Sequence, residues 1–191
     1  NVSDPHINPV GENSLRLAKD SVVIFERTMR EIEREKPDVI FFSGDVMETK
    51  DYGFPNLEIL STVMSKISVP WYILMGNHDS RYRVTQDEYE KIDFIREFEG
   101  HGPSGKKAYW RYDVPRKKIT FIGLDTSKTG TSCGYIEEEQ RQWFIGNMDE
   151  IQHDRYVIVI MHHPVVVFHE IVLEVEVMNM YVLEDYEEFI R

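Results

Sequence analysis

The sequence has 191 residues, 41% of them hydrophobic and 29% charged, the balance of a globular chain long enough for one domain and short for two. A net charge of −12 argues against nucleic acid as a partner, but not against a small phosphorylated substrate at a site made locally positive by metal ions. Cys133 is the single cysteine, which excludes an internal disulfide framework and a cysteine-based zinc site and fits a reducing, cytoplasmic setting.

No apolar run reaches the ~18 residues a membrane span needs, and no signal peptide is visible. The first residue is Asn1 rather than Met, so the sequence reads as starting inside a longer protein. In the opening Asn1-Val2-Ser3-Asp4-Pro5-His6, Asp4 and His6 stand two apart and point the same way if extended. Asp-x-His can offer one ion an oxygen and a nitrogen; taken alone it is by default a surface pair.

Residues 14–36 carry Leu15, Ala18, Val22, Phe25, Met29 and Ile32 at alternating spacings of three and four, which predicts a core-facing helix. Asn13 or Ser14 can cap it and Pro37 ends it. Val39-Ile40-Phe41-Phe42 then reads as a buried strand running into Ser43-Gly44-Asp45-Val46-Met47-Glu48. Asp45 is a candidate ligand whose two oxygens could bridge two ions; Glu48 either supports it or is simply exposed.

A short helix with Leu57, Leu60, Met64 and Ile67 inward leads to Pro70-Trp71-Tyr72-Ile73-Leu74-Met75, a second buried strand that stops at Gly76-Asn77-His78-Asp79. This alternation predicts βαβ units with parallel, right-handed crossovers. In such sheets ligands bind at the carboxyl ends of the strands, which is where the amide, imidazole and carboxylate fall. They suit metal binding and proton transfer.

Residues 81–98 read as a polar loop and a helix with Tyr89, Ile92, Ile95 and Phe98 inward, followed by a loop with an exposed His101. Ala108 to Val114 alternates like a half-exposed antiparallel strand, with Ile119-Thr120-Phe121-Ile122-Gly123-Leu124 as its hairpin partner and Asp125 as a structural cap. Residues 136–151 predict a helix packing Gln140, Trp143 and Phe144 inward. Tyr156-Val157-Ile158-Val159-Ile160-Met161 reads as a continuous buried strand ending in His162-His163-Pro164. Beyond it, residues 165–177 look extended and apolar enough to pair with another subunit as a homodimer. Asn179 can cap a last helix.

Asp-x-His, Gly-Asp-x-x-Glu, Gly-Asn-His-Asp and His-His-Pro stand in this order over residues 1–164. Together they resemble the calcineurin-like metallophosphoesterases, and the apolar strand before His162 and the Gln140–Trp143 helix look most like the cyclic-nucleotide phosphodiesterase (class III) branch. The resemblance implies an α/β fold, a four-layer α/β/β/α sandwich of two mixed sheets flanked by helices, as one domain over 1–191 truncated at both ends. It implies two divalent transition-metal ions, with Asp4 and His6 on the first, Asp45 bridging, and Asn77 and His162 on the second. His78 would lie beside the scissile phosphate and assist the leaving oxygen, with Asp79 orienting its ring; His163 is not carried over as a ligand.

Oxygen and nitrogen ligands without sulfur suit Mn, Fe or Zn. Two such ions ~3.5–4 Å apart can hold a hydroxide that attacks phosphorus in line with the leaving group. The expected activity is therefore hydrolysis of phosphoric esters, phosphodiesters such as cyclic nucleotides ahead of monoesters, on a small phosphorylated substrate. The family's late Gly-His-x-His does not occur after residue 164. That leaves a truncated end or a degenerate site, and with the latter a non-catalytic or single-metal scaffold as the alternative. A nuclease with the same centre is a third reading, disfavoured by the acidic balance.

Overall fold

The computed structural model describes residues 1–11, 17–50, 52–81, 87–114, 116–151, 153–165 and 183. The expected cap at Asn13 or Ser14, the inward Leu15, the extended pieces after 165 and the closing helix from Asn179 lie outside the described residues, Leu183 excepted.

Helix α1 (Ser21–Glu35) buries Phe25 and Met29 and half-buries Val22 and Ile32, the stripe its spacing predicts. It ends where Lys36 turns left-handed at φ +47° ahead of Pro37. Its first turn begins at Ser21, later than expected, because residues 17–20 form a turn closed by the Asp20 and Ser21 amides on the Leu17 and Ala18 carbonyls. The Ser21 hydroxyl then accepts the Asn8 amide, which ties the helix start to the N-terminal segment.

Strand β1 (Ile40–Ser43), helix α2 (Phe54–Met64) and strand β2 (Trp71–Leu74) form the first expected βαβ unit, and β1 pairs with β2 in parallel. The N-terminal segment runs alongside β1, with parallel bridges from Val2 to Phe42 and from Ile7 to Met47. Helix α3 (Lys91–Glu97) follows, started by a reciprocal capping box between Glu90 and Asp93. These helices and the inner faces of β1 and β2 share one core built on Phe42, Leu60, Met64, Ile73, Tyr89 and Phe94.

Strand β3 (Trp110–Asp113) pairs antiparallel with β4 (Ile119–Leu124) as the expected hairpin, and β4 pairs in parallel with β5 (Tyr156–Met161) across helix α4 (Glu138–Glu150). A second core lies between this sheet and α4, where Ile122, Leu124 and Ile136 meet Trp143 and Phe144. A third joins the two sheets face to face: Phe41 packs on Phe121 with ring centroids 4.4 Å apart, Tyr72 on Tyr112 at 4.5 Å, and Trp110 donates to the Ile73 carbonyl at 2.9 Å. Three apolar layers between helices, sheet, sheet and helix give the four-layer sandwich.

Two expectations are corrected. Strand β5 is not fully buried: Tyr156, Ile158 and Val159 are exposed, because among the described residues β5 pairs only with β4. His101 is not a free surface residue; its ring lies flat on Trp71 at 3.5 Å and 3°. No helix among the described residues is long and apolar enough to cross a membrane.

Candidate metal centre

Four chain segments reach the carboxyl edge of the first sheet. The amides of Asp4 and His6 donate to the Gly44 and Asp45 carbonyls at 3.1 and 3.0 Å, so the N-terminal segment is laced to the loop after β1. Asp4, His6 and Asp45 all adopt left-handed backbone, at φ +55°, +45° and +51°. Such conformations cost free energy in non-glycine residues and concentrate at functional sites. Two glycines allow the close approach. A Cβ on Gly76 would fall 2.1 Å from Asp45 Oδ1, and one on Gly44, itself at φ +101°, would fall 2.7 Å from His162 Nδ1.

Asp45 is buried at the centre, and its two oxygens face different groups. Oδ2 lies 3.6 Å from His6 Nε2 and 3.8 Å from His78 Nε2, while Oδ1 lies 3.4 Å from His162 Nε2. His162 Nε2 is also 3.3 Å from Asn77 Oδ1, and its Nδ1 is 3.0 Å from the Ser43 carbonyl. Ligand-type atoms of His6, Asp45 and His78 lie within 4.8 Å of one another, as do those of Asp4, Asp45 and His162. The structure thus gathers all the residues expected to hold ions, and two groups share Asp45. Carboxylate oxygens, imidazole nitrogens and one amide oxygen are a donor set that fits Mn, Fe or Zn.

Geometry alone would admit His78 as a ligand, and a carboxylate on its other nitrogen is compatible with that. His78 Nδ1 lies 2.7 Å from Glu48 Oε2, and the His78 amide donates to Asp45 Oδ1 at 2.9 Å. The ring therefore presents Nε2 to the space beside Asp45. This corrects the expectation that Asp79 orients the ring. Asp79 is fully buried and accepts backbone amides from Met47 and Gly76 at 2.8 Å each and from Val46 at 3.3 Å. It staples the loop after β1 to the loop after β2. Glu48 is the residue that sequence reading left undecided. The Gly-Asp-x-x-Glu spacing is the signal that could have found it, since three residues past Asp45 the turn comes back towards the site.

The electrostatics follow from burial and proximity. Burial opposes the charged form of Asp45, but the hydrogen bond and charge of His162, with His78 and His6 behind it, hold its pKa down to about 2. Burial likewise works against a charged His162, yet the Asp45 hydrogen bond and carboxylate raise it to about 9. Asp79 is pushed well above the usual carboxylate range by burial and the nearby Asp45 charge, against the pull of its amide donors. His163 is lowered to about 4, mainly by burial and then by His162. Both its nitrogens are engaged, Nδ1 with Thr126 Oγ1 at 2.8 Å and Nε2 with the Ser132 carbonyl at 3.2 Å. It stands beside the centre without facing it.

The model for calcineurin-like phosphoesterases matches residues 1–187. A probable glycerophosphodiester phosphodiesterase, GpdQ, of Arcobacter nitrofigilis is 29% identical over 168 residues, 85% of this chain and 55% of its own length. An uncharacterized metallophosphoesterase of Aquifex aeolicus is 28% identical over 167 residues, 86% of this chain and 54% of its own. The chain therefore spans about half the length of these curated relatives. Among solved structures, a dimetal phosphatase from Danio rerio superposes with a TM-score of 0.71 over 99% of this chain and 74% of that one; at 13% identity the likeness concerns the fold. With the match running from the first residue through nearly the last, this chain belongs to the calcineurin-like phosphoesterase family, metal-dependent enzymes that act on phosphoric esters.

Proposed function

We propose that the protein hydrolyses phosphoric esters at a centre for two divalent ions, with small phosphodiesters favoured. The observation that carries this reading is Asp45, whose Oδ2 faces His6 and whose Oδ1 faces His162. One carboxylate between two sets of donors is the arrangement a bridging ligand needs. His6 completes one side, Asn77 and His162 the other, and Asp4 stands within reach of both, 3.8 Å from His6 Nε2 and in one donor group with Asp45 and His162. When bound, such ions supply Lewis acidity towards phosphate oxygens and a hydroxide nucleophile at neutral pH.

The side chains set the charge and the proton path. Asp4 and Asp45 are the only carboxylates in the proposed ligand set, so two divalent ions leave the site net positive and attractive to an anion despite the acidic chain. Asn77 contributes a neutral oxygen, and an aspartate there would reduce that excess. His78 Nε2 faces the space beside Asp45 while Glu48 holds Nδ1, which fixes the ring so that Nε2 can serve the leaving oxygen. Asp79 keeps both strand-end loops in register and touches no reacting atom.

The preference for diesters draws support from the Arcobacter relative, whose name assigns it a glycerophosphodiester as substrate. The test is a panel with Mn, Fe or Zn added to the purified chain. It compares a glycerophosphodiester, a cyclic nucleotide, a chromogenic diester and a chromogenic monoester. Metal-dependent turnover with a diester ahead of the monoester is expected. Monoester turnover alone would overturn the diester preference, and no metal-dependent turnover on any of them would overturn the function.

A further inference from the structure

We infer that Lys91 is a positioning residue for the centre: through the loop after β4 and His163, it sets where His162 stands against Asp45. The inference rests on the function proposed above and adds a residue that lies outside the ligand set. His162 is the one proposed ligand on the second sheet; the others belong to the N-terminal segment and the loops of the first. Strand β5 cannot place it alone, since it is paired on one side among the described residues and exposed at Ile158 and Val159.

Besides the Ser43 carbonyl on His162 Nδ1, the next residue fixes the end of β5. The His163 amide donates to Thr126 Oγ1 at 3.2 Å, and the same oxygen meets His163 Nδ1 at 2.8 Å. Thr126 sits between two anchored neighbours. The Asp125 amide donates to Gln140 Oε1, and Gln140 Nε2 donates back to the Asp125 carbonyl, both at 2.8 Å. Asp125 Oδ1 accepts from the Ser127 amide and hydroxyl at 3.0 and 2.6 Å. Lys91 Nζ closes the cluster from the other side, 2.6 Å from Asp125 Oδ2, 2.8 Å from the Ser127 carbonyl and 3.0 Å from its hydroxyl.

Lys91 opens α3, which Phe94 and Ile95 anchor in the first sheet's core. Gln140 belongs to α4, on the second sheet. The ammonium therefore bolts the two halves together one loop away from the point where they must meet around the ions. Partners in direct contact with a ligand commonly change metal affinity by about 10–100-fold when removed, and Lys91, acting through Asp125, Thr126 and His163, belongs at the low end.

The test compares the wild-type chain with Lys91→Met, Lys91→Arg, Thr126→Val and, as a control, Lys66→Met, which removes a surface ion pair with Glu26 far from the loop. Two readouts are taken: Mn²⁺ affinity by calorimetry, and the ring nitrogen–proton signals of His162 and His163 in metal-free protein. Expected are about a 10-fold loss of affinity and displaced ring signals in Lys91→Met and Thr126→Val, with most of both recovered in Lys91→Arg and neither moved in Lys66→Met. Wild-type affinity in Lys91→Met overturns the inference, with or without displaced rings and whatever Thr126→Val does. If Lys91→Met does not fold, Thr126→Val decides by the same criteria. If the wild-type chain binds no Mn²⁺, the proposed function fails, and the ring signals alone judge the positioning.

Discussion

The two sheets contribute unequally to the centre. The first sheet and its N-terminal segment bring Asp4, His6, Asp45, Asn77 and His78 together through backbone hydrogen bonds between adjacent strand ends, in a core where Phe42, Ile73 and Met47 are fully buried. The second brings His162 from a strand that, among the described residues, pairs on one side only and whose apolar side chains are half exposed, and side chains from two helices hold its end. Where burial is complete, packing sets ligand geometry; where it is not, a polar network must. The first half should therefore fail through its ligands and the second through their supports.

The largest effect is expected at the shared ligand. Asp45→Asn keeps the shape but removes the charge that both donor sets face, and should abolish metal-dependent turnover and the second equivalent of bound metal, measured by elemental analysis and initial rates. His78→Ala should retain both ions and slow turnover by ~10²–10⁴, the usual share of a positioned proton-transfer group. Glu48→Gln leaves the ring in place with a weaker partner and should cost less, about 10–100-fold, with the metal content unchanged. Equal losses for Glu48→Gln and Asp79→Asn in pH-rate profiles would contradict the assignment of Glu48 as the ring's partner.

For stability the comparison is between the sheet interface and the exposed face of β5. Trp110→Ala removes the stack on Phe41 and the bond to the Ile73 carbonyl, and should cost about 3–5 kcal/mol in denaturant unfolding. Tyr156→Ala, at a side chain 76% exposed, should stay within about 0.5 kcal/mol. The last effect is one of pH. His162 rises from its ordinary 6.5 to about 9 in the metal-free fold, so its proton stabilises that fold fully below 6.5, and this contribution is lost as pH rises through 9. Metal-free protein should lose stability over that window, and Mn²⁺ affinity should rise over it, because the ion displaces the same proton. A flat affinity profile would contradict this.

Much of this was legible in the sequence. The apolar runs ending at Gly44-Asp45 and Gly76-Asn77 mark strands whose carboxyl ends must carry the polar groups, and the stripe from Phe25 to Ile32 marks a core-facing helix. Partner choice inside the site was not legible. The family resemblance implied Asp79 as the partner of the His78 ring, yet adjacent side chains in a turn diverge and the carboxylate goes to the Met47 and Gly76 amides instead. Glu48, distant in sequence from His78, reaches it only once β1 and β2 lie side by side. The exposure along β5 was equally hidden, because an apolar run states that a strand exists and not how much of it is covered. The same holds for His101, whose stacking on Trp71 depends on a tertiary contact that no local pattern encodes.

The central claim is that Asp45 stands between two ions. Anomalous diffraction from crystals soaked in Mn²⁺ tests it most directly. Two peaks ~3.5–4 Å apart, one on the His6 side of Asp45 and one on the Asn77–His162 side, are expected. A single peak, or peaks that leave either Asp45 oxygen without an ion, would contradict it.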